Sequence, residues 1–297
     1  MLITPARNEE LYIEETIKSV VSQTIIPKKW VIVSDGSTDR TDEIVKQYMS
    51  NNSWIELVHM PEHRDRQFAA KATCFNAGYE KVKGLRYDVI GNLDADISFE
   101  EDYLEFLLEK FSEIPELGVA GTPFIEDGYS SITDSFEGKK HVAGGCQLFR
   151  LKCFEDIGGY IRNKAGGIDW IAVTTARMKG WTTQSFPKKV FYHHRSLGTG
   201  ESNKIKSCFN YGQKDYYLGN HPVWEVVRIM YRLTKKPYLV GSLITLLGYL
   251  WGLLTRMERP ISNELMAFHR DEEMRKFKAI LRQIIRFRRI NRYELKF

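Results

Sequence analysis

The chain has 297 residues, 43% hydrophobic and 27% charged, enough to bury one large core or two smaller ones. This composition excludes disorder, and 22 Gly and 9 Pro without a period exclude collagen-like and low-complexity chains. Charge is uneven: residues 256–297 carry 12 Lys/Arg against 6 Asp/Glu, whereas residues 1–255 carry 31 against 32. A near-neutral body with a basic end argues against nucleic acid as a partner and suits an anionic membrane surface.

Cys74, Cys146, Cys153 and Cys208 form no CxxC pair, so neither a zinc site nor a disulfide scaffold is expected, and a reducing cytosolic compartment is. Met1 runs straight into LITPARNEE, which is not the charged-then-apolar pattern of a signal peptide. Met1 also opens almost at the end of the first strand, which leaves that strand short.

Leu2-Ile3 reads as this strand stub, followed by a helix over 9–22 with Ile13, Ile17, Val20 and Val21 on one face. A buried strand, Trp30 to Val33, precedes a helix opened by Asp39-Arg40-Thr41-Asp42 and running to Tyr48. Strand 55–60, helix 67–82 and strand 88–93 follow, then a helical face of Tyr103, Phe106, Leu107 and Phe111 and a strand over 119–124. The second half predicts a strand over 141–149 containing Gly144-Gly145, a helix starting near Asp169 and a last strand over 189–194. This alternation predicts an α/β fold with a mostly parallel sheet flanked by helices, whose ligands lie outside the carboxyl ends of the strands.

From Pro237 to Thr255 the chain has no charged residue, with Arg232, Lys235 and Lys236 before it and Arg256 and Arg259 after. A single crossing would put the basic tail outside, against the positive-inside tendency. We therefore expect a membrane-docked hydrophobic element on the cytoplasmic face rather than a full span. The tail from Ser262 reads as an amphipathic helix with Met274, Phe277, Leu281 and Ile284 on one face. The expected domains are 1–220, catalytic, and 221–297, a C-terminal helical membrane-associating region.

Three predicted strand ends are unusually polar: Thr4-Pro5-Ala6-Arg7-Asn8-Glu9, Ser34-Asp35-Gly36-Ser37-Thr38-Asp39 and Asp94-Ala95-Asp96. In an extended segment residues i and i+2 point the same way, so Asp94 and Asp96 can face one divalent cation. Oxygen ligands suit Mg²⁺ or Mn²⁺, which also bridge diphosphate oxygens. An isolated DxD is more often an acidic helix-capping loop, but here a buried strand delivers it to the ligand edge. Asp35 is placed to accept a hydrogen bond from a base or ribose, whereas Asp39 reads as a helix cap.

TPARNEE, WVIVSDGSTDRTDEI, FNAGY and IGNLDADISF, in this order, resemble the family 2 glycosyltransferases of the GT-A fold. VAGGCQLFRLKCFEDIGGY and GGIDWIAVTTARMKGW resemble that family's acceptor-side half, so the likeness spans roughly residues 1–200. The resemblance implies a nucleotide-sugar donor, expected to be a UDP-sugar, with its base near Pro5, Ala6, Arg7, Glu9 and Asp35. It implies a diphosphate beside Lys71, Asp94 and Ala95, with Mn²⁺ or Mg²⁺ on Asp94 and Asp96. His193 or His194 is a candidate further metal ligand. Asp169, at a helix start after Gly166-Gly167, stands where the family has its catalytic base, with Asp127, Asp134 and Glu137 next in line.

The implied reaction is inverting transfer of a sugar to a hydroxyl acceptor, lipid-linked or glycan, in polysaccharide or glycoconjugate synthesis. The alternatives are a nucleotidyltransferase, which would show a Gly-rich first loop that TPARNEE lacks, and a non-catalytic nucleotide-sugar-binding scaffold. Two departures stand out. Phe75 occupies a place where many members carry arginine, with Lys71, Arg64 or Arg66 as substitutes for its charge. The QxxRW motif of processive members is missing, since Gln213 is followed by Lys-Asp-Tyr-Tyr.

Overall fold

The computed structural model describes residues 1–61, 68–133, 138–163, 166–195, 204–234 and 237–286. Arg64, Arg66, Asp134, Glu137 and the Gly-rich stretch 196–202 lie outside them. The described chain divides into two compact units, 1–196 without 136–138, and 197–297 together with 136–138. The division falls at residue 196 rather than at the expected 220.

In the first unit the elements are β1 (Leu2–Ala6), α1 (Ile13–Val21), β2 (Trp30–Ser34), α2 (Thr41–Met49), β3 (Ile55–His59), α3 (Phe68–Val82), β4 (Val89–Leu93), β5 (Ile97–Phe99), α4 (Tyr103–Glu113) and β6 (Leu117–Gly121). Then come β7 (Phe124–Glu126), β8 (Tyr129–Ser130), β9 (Cys146–Arg150), α5 (Leu151–Asp156), α6 (Ile168–Met178), β10 (Thr182–Ser185) and β11 (Phe191–His193). Seven strands form one sheet in the order β10-β6-β9-β4-β1-β2-β3. Every neighbour pair is parallel except those made by β9. The expected mostly parallel sheet is thus present.

Alternation along β1 and β2 divides the core between the two faces. Leu2, Trp30 and Ile32 pack with Ile13, Ile17 and Leu107 on one face. Ile3, Val31 and Val33 pack with Ala72, Phe75 and Ala172 on the other. Phe75 is fully buried, edge-on to Tyr160 and tilted against Phe154, which suits an aromatic ring and not a guanidinium.

Several boundaries differ from expectation for local reasons. β1 is not a stub: it continues through Pro5 to Ala6 because β2 pairs with its whole length. α1 starts four residues late, since the Glu9 and Glu10 N–H groups bond to Thr41 Oγ1 (2.7 Å) and Asp39 Oδ2 (3.0 Å). The strand expected over 119–124 splits into β6 and β7 at Thr122-Pro123, where proline has no N–H for a ladder. Residues 141–145 do not join β9, because the Gly144 carbonyl accepts from Asn92 Nδ2 (2.8 Å) and the Gly145 carbonyl from the Asp94 N–H (2.8 Å). A second sheet, in the order β5-β11-β7-β8, carries the last strand.

The second unit is helical: α7 (Lys204–Tyr217), α8 (Pro222–Arg232), α9 (Tyr238–Leu254) and α10 (Asn263–Ile285). α7 and α9 approach through glycine. A Cβ on Gly212 would lie 1.9 Å from the Thr245 carbonyl oxygen, and one on Gly248 2.1 Å from that of Phe209. α10 departs from its expected face. Its buried residues are Leu265, His269, Glu273, Lys276 and Ile280, while Leu281 and Ile284 are exposed. The polar members are held within the unit: His269 Nε2 contacts Asn220 Oδ1 (3.1 Å), and Glu273 Oε2 accepts from the His221 N–H (2.6 Å). No helix among the described residues is long and apolar enough to cross a membrane.

Candidate active site

The carboxyl ends of β1, β2 and β4 form one polar edge. Pro5 pairs with Val33 in the ladder, and the Ala6 carbonyl accepts from the Asp35 N–H (2.8 Å). Arg7 Nη1 lies 3.7 Å from Asp35 Oδ2. The Cys74 thiol, its pKa raised by burial and then by the Asp35 charge, hydrogen-bonds to Asp35. Asn8 has a positive φ, and its Oδ1 accepts from the Thr38 N–H (2.8 Å), which ties the first loop to the second. Asp39 accepts from the N–H and hydroxyl of Thr41, and burial is outweighed by these bonds so that its pKa is lowered. Glu9 pairs with Arg195.

Asp94 and Asp96 leave β4 on a turn rather than in extended chain, with Ala95 buried between them. They meet His193 at the end of β11, where one ligand atom from each of the three lies within 4.8 Å of the others. Burial, and next the Asp94 charge, raise the pKa of Asp96. The carbonyl of Arg195 can only accept, so the His193 Nδ1 that meets it carries the proton. The other ring nitrogen, Nε2, faces Asp96 Oδ1 at 3.5 Å. Two carboxylate oxygens with an imidazole nitrogen suit a divalent ion such as Mn²⁺. The residues therefore fit a divalent ion. Glu126, 3.6 Å from His193 Nδ1, stands behind the ring as carboxylates do behind metal-bound histidines. His194 is not in the cluster: its Nε2 meets Ser98 Oγ (2.8 Å) and its ring stacks on Tyr12.

Two cations already face the acids. Lys71 Nζ binds Asp94 Oδ1 and the Gly144 carbonyl (3.2 Å). Burial alone would lower its pKa; Asp94 first, then Asp169 and Asp96, raise it. Arg195 Nε lies 3.7 Å from Asp96 Oδ2. Across Gly144 lies Asp169, the second residue of α6, behind Gly167 in a left-handed conformation. A Cβ on Gly144 would sit 2.8 Å from Asp169 Oδ2. Gly144 thus separates the acidic cluster from a further carboxylate, the arrangement needed for a leaving group on one side and a proton acceptor on the other. Asp127 lies on the turn between β7 and β8. Asn92, Gly144 and Glu126 join the site on weak sequence signals: a polar residue in an apolar strand, a glycine pair and an acid closing a short strand.

Residues 1–135 match the profile of Glycosyl transferase family 2. This part of the chain is similar to the family 2 glycosyltransferases. The chain is also similar to poly-beta-1,6-N-acetyl-D-glucosamine synthases. That of Staphylococcus epidermidis is 26% identical over 209 residues, 64% of this chain and 47% of that protein. That of Staphylococcus aureus strain COL is 34% identical over 121 residues, 40% and 27% of the respective chains. The chain thus spans about half or less of the curated relatives it matches. Among solved structures, the mannosyltransferase PcManGT from Pyrobaculum calidifontis, in complex with GDP-Man and Mn²⁺, has a TM-score of 0.59 at 16% identity, covering 95% of this chain and 81% of that one. S. aureus TarS 1-349 in complex with UDP-GlcNAc has a TM-score of 0.57 at 12% identity, covering 97% and 91%. At such identities the likeness establishes the fold alone, the GT-A-like α/β fold expected from the sequence.

Proposed function

We propose that this chain transfers an N-acetylhexosamine from a UDP-sugar to a hydroxyl acceptor with inversion at the anomeric carbon. The observation that carries the reading is the convergence of Asp94, Asp96 and His193 within 4.8 Å on one side of Gly144, with Asp169 on the other. The similarity of residues 1–135 to family 2 glycosyltransferases supports glycosyl transfer, and the similarity to synthases named for N-acetylglucosamine supports the sugar.

Arg7 and Asp35 bind the nucleoside end of the donor. Asp169 takes the proton of the acceptor hydroxyl as its oxygen bonds to the anomeric carbon. The bond from that carbon to the diphosphate oxygen breaks with its electron pair, and the nucleoside diphosphate leaves as an anion beside Lys71 and Arg195. Asp94, Asp96 and His193 would hold Mn²⁺ or Mg²⁺, which when bound neutralises charge on the leaving diphosphate. The acceptor we propose is a lipid-linked or glycan hydroxyl at the cytoplasmic face of a membrane. The absence of QxxRW after Gln213 favours short products over long polymers.

A calorimetric screen of UDP-GlcNAc, UDP-Glc and GDP-Man with Mn²⁺ or Mg²⁺ tests the reading, together with Asp94→Ala and Asp96→Ala. UDP-GlcNAc should bind tightest, and each variant should lose metal-dependent binding while staying folded. Tightest binding of GDP-Man, or undiminished binding in both variants, refutes it.

A further inference from the structure

α9 has two unlike faces. Toward the unit it presents Gly241, Ser242, Thr245, Gly248, Tyr249 and Gly252, all buried. On the other side Leu239, Leu243, Leu247, Leu250 and Leu254 follow one another at i, i+4, i+8, i+11 and i+15, the spacing of one helical face, and all five are exposed. Trp251 joins them at 54% exposure. The neighbouring α8 adds exposed Val223, Val226 and Met230. An unbroken exposed face of this kind marks an interaction surface.

Charge identifies the occupant. No acidic or basic residue occurs between Pro237 and Thr255, yet Arg232, Lys235 and Lys236 precede this run and Arg256 and Arg259 follow it. Residues 197–297 carry 19 Lys/Arg against 9 Asp/Glu. Two copies of so basic a unit would repel face to face, whereas anionic lipid headgroups complement it. At 17 residues α9 is short for a span, and its glycine face is already filled by α7.

We propose that α9 lies in the plane of an anionic membrane, its leucine face in the acyl boundary and its basic flanks among the headgroups. This surface belongs to the second unit and shares no residue with the transfer chemistry, so its failure leaves the sugar-transfer reading standing and removes only the membrane-face placing of the acceptor.

The test is co-sedimentation of the full chain with vesicles of phosphatidylglycerol or of phosphatidylcholine, at low salt and at about 0.5 M salt. Binding to the anionic vesicles should exceed binding to the zwitterionic ones about tenfold at low salt. High salt should narrow that difference without abolishing binding, because apolar insertion is not screened. A variant combining Leu243→Glu, Leu247→Glu and Leu250→Glu should bind at least about tenfold more weakly, with unchanged circular dichroism, because all three side chains are exposed. Absence of vesicle binding, or equal binding by the variant, overturns the proposal. So does a dimer that the variant dissolves without any vesicle binding. If the triple variant does not fold, brominated lipids decide: they should quench the full chain more than Trp251→Phe, and equal quenching overturns the proposal.

Discussion

Lys71 lays its ammonium on the Asp94 carboxylate and on the Gly144 carbonyl together, so one side chain spans the gap between the acidic cluster and the peptide beside Asp169. A cation at Asp94 competes with a metal ion for that carboxylate, yet it also offers positive charge to a diphosphate. Lys71→Met should therefore raise Mn²⁺ affinity about three- to tenfold, consistent with losing a half-buried ion pair worth roughly 1 kcal/mol. The same variant should weaken UDP binding in the presence of Mn²⁺. Calorimetry of both ligands checks the pair of opposite changes, and a fall in both affinities would contradict it.

Asp169→Asn keeps the size of the side chain but removes its basicity. Transfer should fall by a factor of about 10² to 10⁴, the usual worth of a general base, while the donor dissociation constant stays within about threefold. Single-turnover transfer and donor titration separate the two effects. Near-normal transfer would place the base elsewhere.

Gly144→Ala brings a methyl group to 2.8 Å from Asp169 Oδ2, closer than carbon and oxygen tolerate. Either the carboxylate or the peptide must move. We expect transfer to drop at least about tenfold with little change in melting temperature, since displacement of a reacting group by a fraction of an ångström is costly. Normal kcat in this variant would show that Asp169 is not held against Gly144.

In the second unit burial, with the Asp215 charge next, pushes Glu225 up to about 7, against 4.5 in an unfolded chain. A folded pKa above the unfolded one contributes stability that is complete below about 4.5 and is lost as pH rises through about 7. Glu225→Gln removes this dependence. Relative to the parent, the variant should gain on the order of a few °C in melting temperature between pH 5 and pH 8. Parallel melting curves across that interval would show that Glu225 stays close to its ordinary pKa.

The sheet was legible because Trp30 to Val33 and Val89 to Leu93 are apolar runs between polar strand ends, and strands buried on both faces read that way. The DxD pair was legible because it closes a buried strand, and Asp169 because the resemblance to the family implies a base at that helix start. Gly144 was not. Its place depends on a carbonyl turned toward Asn92 and Lys71, a contact across 52 and 73 residues that no local pattern encodes. The buried face of α10 escaped for a different reason. Periodicity assigns apolar residues to the inside, but His269 and Glu273 are buried because Asn220 and His221 supply hydrogen-bond partners. His193 and His194 look alike in sequence. Only the β5 pairing, which places His193 opposite Ile97 beside Asp96, tells them apart.

The Gly144 peptide has a kinetic corollary. Its carbonyl holds Lys71, and its Cα abuts the carboxylate that would receive the acceptor's proton. Any donor that draws Lys71 toward its diphosphate pulls on the same peptide that fixes Asp169. Occupancy on one side thereby sets alignment on the other. For the proposed UDP-sugar transfer we therefore expect compulsory order, donor before acceptor, with UDP as the last product released. UDP would then inhibit competitively against the sugar nucleotide and noncompetitively against the acceptor.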